Sequence, residues 1–219
     1  MSAFPRPLDA IIFDLDGVLT DTAEAHFRAW KRLADTIDVP FDHAANEQLK
    51  GIDRMGSLDR IIGDRPGFDA GERTRFAALK NGWYLEEIAG FTPADLFPGA
   101  RDVLEEARAA GLKIALASAS RNAPLLLERL GIAALFDAIA DPAAVAAGKP
   151  APDIFLAAAR AVGAAPARCL GVEDAEAGIV AIRAAGMASL GIGSPAVLAE
   201  ADRVIAAIGA FRLGEYRSA

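Results

Sequence analysis

Short apolar runs and longer amphipathic stretches divide this chain, and the change of period between them predicts its elements. Ala10-Ile11-Ile12-Phe13 is a continuous apolar run that reads as a short buried strand. Over residues 23–37 the apolar positions Ala23, Phe27, Trp30, Leu33, Ala34 and Ile37 recur at helical spacing, and Val39-Pro40 ends the pattern. Further helical pieces are expected at 43–49, 55–62 and 70–89, interrupted by Gly51 and by the loop Gly63-Asp64-Arg65-Pro66-Gly67. No strand is expected between residues 20 and 89.

From Pro98 onward the pattern changes. Strands are expected at 113–118, 136–140, 168–172 and 188–192, with a further one at 204–205. Helices are expected at 100–110, 123–130, 152–162 and 175–185, closed by Gly111, Gly131, Gly163 and Gly186. Strands alternating with helices of about ten residues imply a mainly parallel sheet covered on both faces. The expected fold class is therefore α/β: a doubly wound parallel-sheet core, formed by residues 1–19 and 94–219, with an α-helical cap domain at 20–93 inserted after the first strand. The connections near residues 20–21 and 90–93 are the expected hinges.

Composition narrows the partners. The chain has 219 residues, 53% of them hydrophobic, which is enough for a real core. Its formal net charge of −7, without a basic run, argues against nucleic acid and anionic membrane surfaces. No apolar stretch reaches the length of about 18 residues that a bilayer demands. The opening residues 1–7 lack the apolar centre of a leader peptide, so the expected location is the cytoplasm. The single cysteine, Cys169, lies in an apolar stretch and is expected to be inert core.

Four polar clusters follow predicted core strands or their loops: Asp14 with Asp16, the run Ser118-Ala119-Ser120-Arg121-Asn122, Lys149, and Glu173-Asp174. Parallel strands bring all their carboxyl ends to one edge of the sheet, so these clusters are expected to converge there. Asp14, Glu173 and Asp174 offer hard oxygen ligands suited to Mg²⁺. Ser118 and its neighbouring N–H groups suit phosphate at a strand-to-helix turn, and Lys149 adds a point charge. A carboxylate nucleophile would divide phosphoryl transfer into two steps. Each residue also has a plainer reading: Ser120 or Asn122 as a helix cap, Asp174 as the cap of 175–185, Lys149 as a solvated loop lysine.

The segment Phe13-Asp14-Leu15-Asp16-Gly17-Val18, with Ala115-Leu116-Ala117-Ser118-Ala119-Ser120 and Lys149-Pro150-Ala151-Pro152-Asp153, resembles the haloacid-dehalogenase-like phosphotransferase superfamily, whose hallmark is Asp-x-Asp-Gly. Within the insertion, Thr20-Asp21-Thr22-Ala23-Glu24, His26-Phe27-Arg28-Ala29-Trp30 and Asn46-Glu47-Gln48-Leu49-Lys50-Gly51 are similar to its hexose-phosphate mutases. The resemblance implies a Rossmann-like core with a helical cap, and interconversion of β-D-glucose 1-phosphate and glucose 6-phosphate through an aspartyl-phosphate and a 1,6-bisphosphate intermediate. It implies Asp14 as nucleophile and Asp16 as general acid/base. Mg²⁺ would be held by Asp14, Glu173, Asp174 and the backbone carbonyl of Asp16. Ser118 and Lys149 would hold the transferring group, and Thr20 and His26 would couple the cap to catalysis. Arg54, Ser120 and Asn122, with Ala119 beside them, would grip the distal phosphate, and Gly51 and Lys80 would contact the sugar. Arg121 stands where the resemblance leads one to expect lysine, a change that keeps charge and alters donor geometry. By composition and spacing alone, His26, Trp30, Arg54 and Lys80 read as ordinary helix residues.

The partners implied are a hexose phosphate and its bisphosphate, with no nucleic acid and no membrane, and a monomeric enzyme. Two rivals stand beside the mutase: a sugar-phosphate phosphatase with the same nucleophile, and a catalytically inactive ligand-binding module.

Overall fold

Four residues, Ala10–Phe13, form β1, and they lie at the centre of the molecule because neither face of this strand can be left to water. Ile11 and Phe13 pack to one side of the sheet with Leu104, Leu116 and Leu126, while Ala10 and Ile12 pack to the other with Phe155, Ile179 and Ile182. A strand buried on both faces must read as an unbroken apolar run, which is what the sequence shows. Burial of each large side chain on it contributes roughly 1.5–3 kcal/mol. The computed structural model describes residues 7–216. Residues 1–6, on which the expectation about a leader mainly rests, lie outside them.

After β1 come four helices with no strand among them: α1 (Ala23–Thr36), α2 (His43–Glu47), α3 (Arg54–Ile62) and α4 (Ala70–Glu87). The last three each begin on an aspartate, Asp42, Asp53 or Asp69, whose side chain accepts a hydrogen bond from an N–H of the first turn. Trp30, Leu33, Leu58, Ile62 and Phe76 give these helices an apolar core of their own. The rest of the chain runs α5 (Ala100–Ala109), β2 (Lys113–Leu116), α6 (Ala123–Arg129), β3 (Ala138–Ile139), α7 (Asp153–Ala161), β4 (Cys169–Glu173), α8 (Glu176–Ala184), β5 (Ala188–Ile192) and β6 (Arg203–Ile205).

The strands form one sheet in the order β3-β2-β1-β4-β5-β6, and every neighbouring pair is parallel. This is the doubly wound order of dinucleotide-binding sheets, which opens a crevice at the carboxyl edge where the winding reverses. The reversal falls between β1 and β4, so Asp14 and Glu173 reach that crevice from adjacent strands. The expected strand at 136–140 shrinks to two residues, because an edge strand pairs on one side only and just Ala138 and Ile139 face β2.

The helical insertion leaves and rejoins the sheet at one place. Thr20 bridges Leu96 in antiparallel fashion, and the Phe97 N–H donates to the Leu19 carbonyl at 2.9 Å. The buried Thr20 hydroxyl donates to the Asp95 carbonyl at 2.7 Å. Among the described residues no helix is long and apolar enough to cross a membrane. Cys169 is buried on β4, and burial, followed by Asp9, pushes its thiol up to about 11.

Candidate active site

The chain turns sharply after β1, with the Gly17 N–H donating to the Thr20 carbonyl at 2.9 Å, so Asp14 and Asp16 share the mouth of the crevice. Gly17 has a φ of +77°, and a Cβ placed there would sit 2.0 Å from Asp174 Oδ2. Only glycine meets both demands, and it lets the β1 and β4 loops close on each other.

Asp14 is 5% exposed. Its Oδ1 accepts a hydrogen bond from Lys149 Nζ at 2.6 Å, and the same ammonium donates to Glu173 Oε2 at 2.7 Å. Glu173 is fully buried, with Oε1 accepting from the N–H groups of Asp174 and Ala175 at 3.1 and 3.2 Å. A Cβ on Gly178 would lie 2.0 Å from Glu173 Oε2, so the glycine in the first turn of α8 makes the room this carboxylate occupies. Burial works against the Lys149 charge, but Asp14 and Glu173 outweigh it and hold the ammonium above its ordinary range. Lys149 is thus a buried cation between two carboxylates, not a solvated loop lysine.

Burial pushes Asp14 up to about 8, against the pull of Lys149. With Lys149 Nζ within hydrogen-bond distance of both carboxylates, the contact geometry favours the ion-paired form. Asp16 is raised as well, chiefly by burial, although the Thr22 hydroxyl donates to its Oδ1. Burial also raises Asp174 well above the carboxylate range, helped by Glu173 and Asp14. Asp14, Glu173 and Asp174 can each present an oxygen within 4.8 Å of the others. Such crowded hard-oxygen donors fit a small divalent cation. Glu173 enters this set with both oxygens already accepting from protein donors, though each carboxylate oxygen retains further acceptor capacity.

The insertion covers the crevice with a second group of polar residues. Lys80, 3% exposed on α4, donates to His26 Nδ1 at 2.9 Å. Its Nζ lies 4.5 Å from the Trp30 ring centre and 4.7 Å from that of Tyr84. Burial, then Arg54, lowers Lys80 to about 7, while burial, Lys80 and Arg54 lower His26 well below its usual range. The imidazole is therefore held in its neutral form. Trp30 combines core packing with a cation–π contact. Arg54 is the first residue of α3, placed by the Asp53 cap. Burial, then the charge of Arg121, disfavours the Arg54 charge. An anion bound beside Arg54 would offset both effects.

The core side of the crevice carries the Ser118 cluster. Ser118 is buried, and its hydroxyl accepts from the Ser120 N–H at 3.1 Å. Ala119 and Ser120 follow at the turn into α6, both partly buried. Asn122 stands at the N-cap position of α6, yet its side chain does not cap the helix. Its Nδ2 donates instead to Asn81 Oδ1 on α4 at 2.8 Å. Asp174 likewise does not cap α8, whose N-cap residue is Ala175. Gly51, with a φ of +74°, brings the insertion against the core, where a Cβ on it would lie 3.2 Å from that of Ala175.

The hydroxyl beside Asp16 belongs to Thr22, not to Thr20, which is turned to the Asp95 carbonyl. Sequence reasoning did not single out Thr22, Asn81 or Tyr84. Thr22 stood only inside a matching string, and Asn81 and Tyr84 lie on the helix expected over 70–89, where no local signal marks them. Their contacts become visible only when α1 and α4 are docked on the core.

A family model described as haloacid dehalogenase-like hydrolase matches residues 8–186. The chain is 48% identical over 201 residues to a β-phosphoglucomutase of Bacillus subtilis, covering 90% of this chain and 89% of that one. It is 32% identical over 180 residues to a fructose-1-phosphate phosphatase of Escherichia coli, covering 81% and 92%. The crystal structure of a β-phosphoglucomutase from Clostridium difficile superimposes with a TM-score of 0.93 at 41% identity, covering 95% of this chain and 97% of that one. With its motif, its sheet order and these likenesses in agreement, the chain belongs to the haloacid dehalogenase-like hydrolase family.

Proposed function

We propose that the protein is a β-phosphoglucomutase, interconverting β-D-glucose 1-phosphate and glucose 6-phosphate. The observation that carries this reading is the attachment of Asp16 to the insertion: its carboxyl is raised by burial and receives the Thr22 hydroxyl from the residue just before α1. An acid/base group tied to the covering helices acts when those helices are docked on a sugar, which is what separates transfer to sugar from transfer to water.

In this reading residues 20–93 are a cap over a core of residues 1–19 and 94–219, hinged where Thr20 meets Asp95 and Leu96. Asp14 attacks the phosphorus and carries the phosphoryl group as an aspartyl-phosphate. Asp16 protonates the departing sugar oxygen and later removes the proton from the attacking hydroxyl, a division that requires its raised carboxyl to bear a proton in the closed site. Ser118 and Lys149 hold the transferring group. Arg54, Ser120 and Asn122 hold the distal phosphate. The bisphosphate turns between half-reactions so that either phosphate can face Asp14. His26, Lys80 and Gly51 meet the sugar from the cap side. Asp14, Glu173, Asp174 and the backbone carbonyl of Asp16 would hold Mg²⁺. When bound, the metal would supply charge neutralisation to the phosphoryl oxygens.

The test supplies β-glucose 1-phosphate, Mg²⁺ and a trace of the 1,6-bisphosphate, and follows glucose 6-phosphate and free phosphate together. Glucose 6-phosphate should form much faster than phosphate. Phosphate release outrunning it would favour a phosphatase, the activity named for the Escherichia coli relative. Full activity in Asp14→Asn would overturn the mechanism.

A further inference from the structure

The three carboxylates of the crevice are neutralised from two directions. Lys149, fully buried, takes Asp14 and Glu173. Asp174 is left to a lysine from the other side: Lys50 Nζ lies 3.8 Å from Asp174 Oδ2. The same Nζ pairs with Glu47 Oε2 at 2.9 Å, so Lys50 is shared between the two carboxylates, and it belongs to the segment that joins α2 to α3. That segment rests on the core at two further points. A Cβ on Gly51 would lie 3.2 Å from Ala175, and one on Gly148 would lie 3.0 Å from Asp53 Oδ2. Lys50 thus reaches the acidic cluster only while residues 50–53 are docked between the Asp174 loop and the Lys149 loop.

We propose that Lys50 is a positioning residue that couples the helical insertion to cation binding: it neutralises Asp174 in the metal-free protein, and a divalent cation must displace it. This rests on the assignment of the acidic cluster as the metal site. An ammonium and a divalent cation compete for the same carboxylate charge, so the exchange frees Lys50 and loosens one of the contacts that dock residues 50–53. The coupling is reciprocal: the factor by which the Lys50 contact weakens cation binding is the factor by which the cation weakens docking of this segment. Lys50 is 39% exposed and Asp174 12% exposed in their side chains, so the effect is modest and sensitive to salt.

The test uses the full chain and MgCl₂ alone, without sugar phosphate. By titration calorimetry at low salt, Lys50→Met should bind Mg²⁺ about 3- to 5-fold more tightly than the unsubstituted protein, with the gap closing at 0.5 M salt. Lys50→Arg should restore the original affinity. Lys31→Met changes the net charge equally, but Lys31 pairs with Asp35 on α1, so it should leave the affinity unchanged. Hydrogen exchange gives a second readout: Mg²⁺ should speed exchange over residues 48–53 in the unsubstituted protein and add nothing in Lys50→Met. Equal Mg²⁺ affinities for Lys50→Met and the unsubstituted protein would overturn the proposal while leaving the metal site standing. A matching gain in Lys31→Met would reduce it to net charge and overturn it too. Absence of Mg²⁺ binding by the unsubstituted protein would remove the metal assignment and the proposal together.

Discussion

Asp14 and Asp16 are separated by a single residue, yet their surroundings differ, and the proposed division of labour between them rests on that difference. Asp14 faces Lys149 and the acidic cluster, whereas Asp16 faces Thr22 and the covering helices. Lys80 is the corresponding residue of the insertion, an amine enclosed by two aromatic rings and a neutral imidazole and lowered to about 7 by burial. Its folded pKa lies below the unfolded value of about 10.4, so between these values the unfolded chain binds the extra proton and stability rises with pH. Below about 7 both states are protonated and the folded state bears the whole penalty of a buried charge. Lys80→Met, close in volume, should therefore be more stable than the unsubstituted protein at pH 6, and the gap should narrow between pH 7 and 10. Urea melts at pH 6 and pH 9 measure it, and a pH-independent gap would contradict the reading.

At the scale of elements, two helical glycines make opposite forecasts. Gly178 sits in α8 against the Glu173 carboxylate, where a Cβ would lie 2.0 Å from Oε2. Gly178→Ala should push Glu173 aside and break its pairing with Lys149, at a cost of about 3–5 kcal/mol, the usual penalty for disrupting a buried ion pair. Gly82 lies in α4, where a Cβ would meet nothing within 4 Å. Gly82→Ala should stabilise by about 0.4–1 kcal/mol, through reduced freedom of the unfolded chain. Chemical denaturation of both variants checks the contrast. The elements themselves were largely legible. β1 and β5 span the expected residues, and α1, α5, α6 and α8 differ by a residue or two at their ends. The misses were at edges and caps. β3 shortened for want of a second partner, and Asn122 gave its side chain to Asn81 instead of to its own helix. Local pattern does not reveal which polar group a distant helix will offer.

For the molecule as a whole, the proposed mechanism places specificity in the contacts between insertion and core. The Asn122–Asn81 hydrogen bond joins α4 to the start of α6 directly beside the Ser118 cluster. Asn81→Ala removes it without touching the acidic cluster. A hydrogen bond of about 0.5–1.5 kcal/mol predicts roughly a 2- to 10-fold loss of closure. Glucose 6-phosphate formation should fall by about that factor, and the share of phosphoryl groups lost to water should rise. Measuring both products in one assay tests this, and an unchanged product ratio would deny the contact a role in closure.

The sequence by itself determined the sheet, the carboxylates at its edge and the helical insertion, because apolar period and strand-end polarity are local properties written residue by residue. It also pointed to phosphoryl chemistry, through the expected convergence of Asp14, Asp16, Ser118, Lys149 and the Glu173-Asp174 pair. How these groups pair came from the tertiary structure alone: Lys149 between Asp14 and Glu173, Thr22 at Asp16, Lys50 at Asp174, and Asn81 at Asn122. Most of those pairings join residues two dozen or more positions apart, and two of them, Lys50 with Asp174 and Asn81 with Asn122, form only once the insertion is docked on the core. Their partners are set by distance and burial, which no stretch of sequence holds on its own.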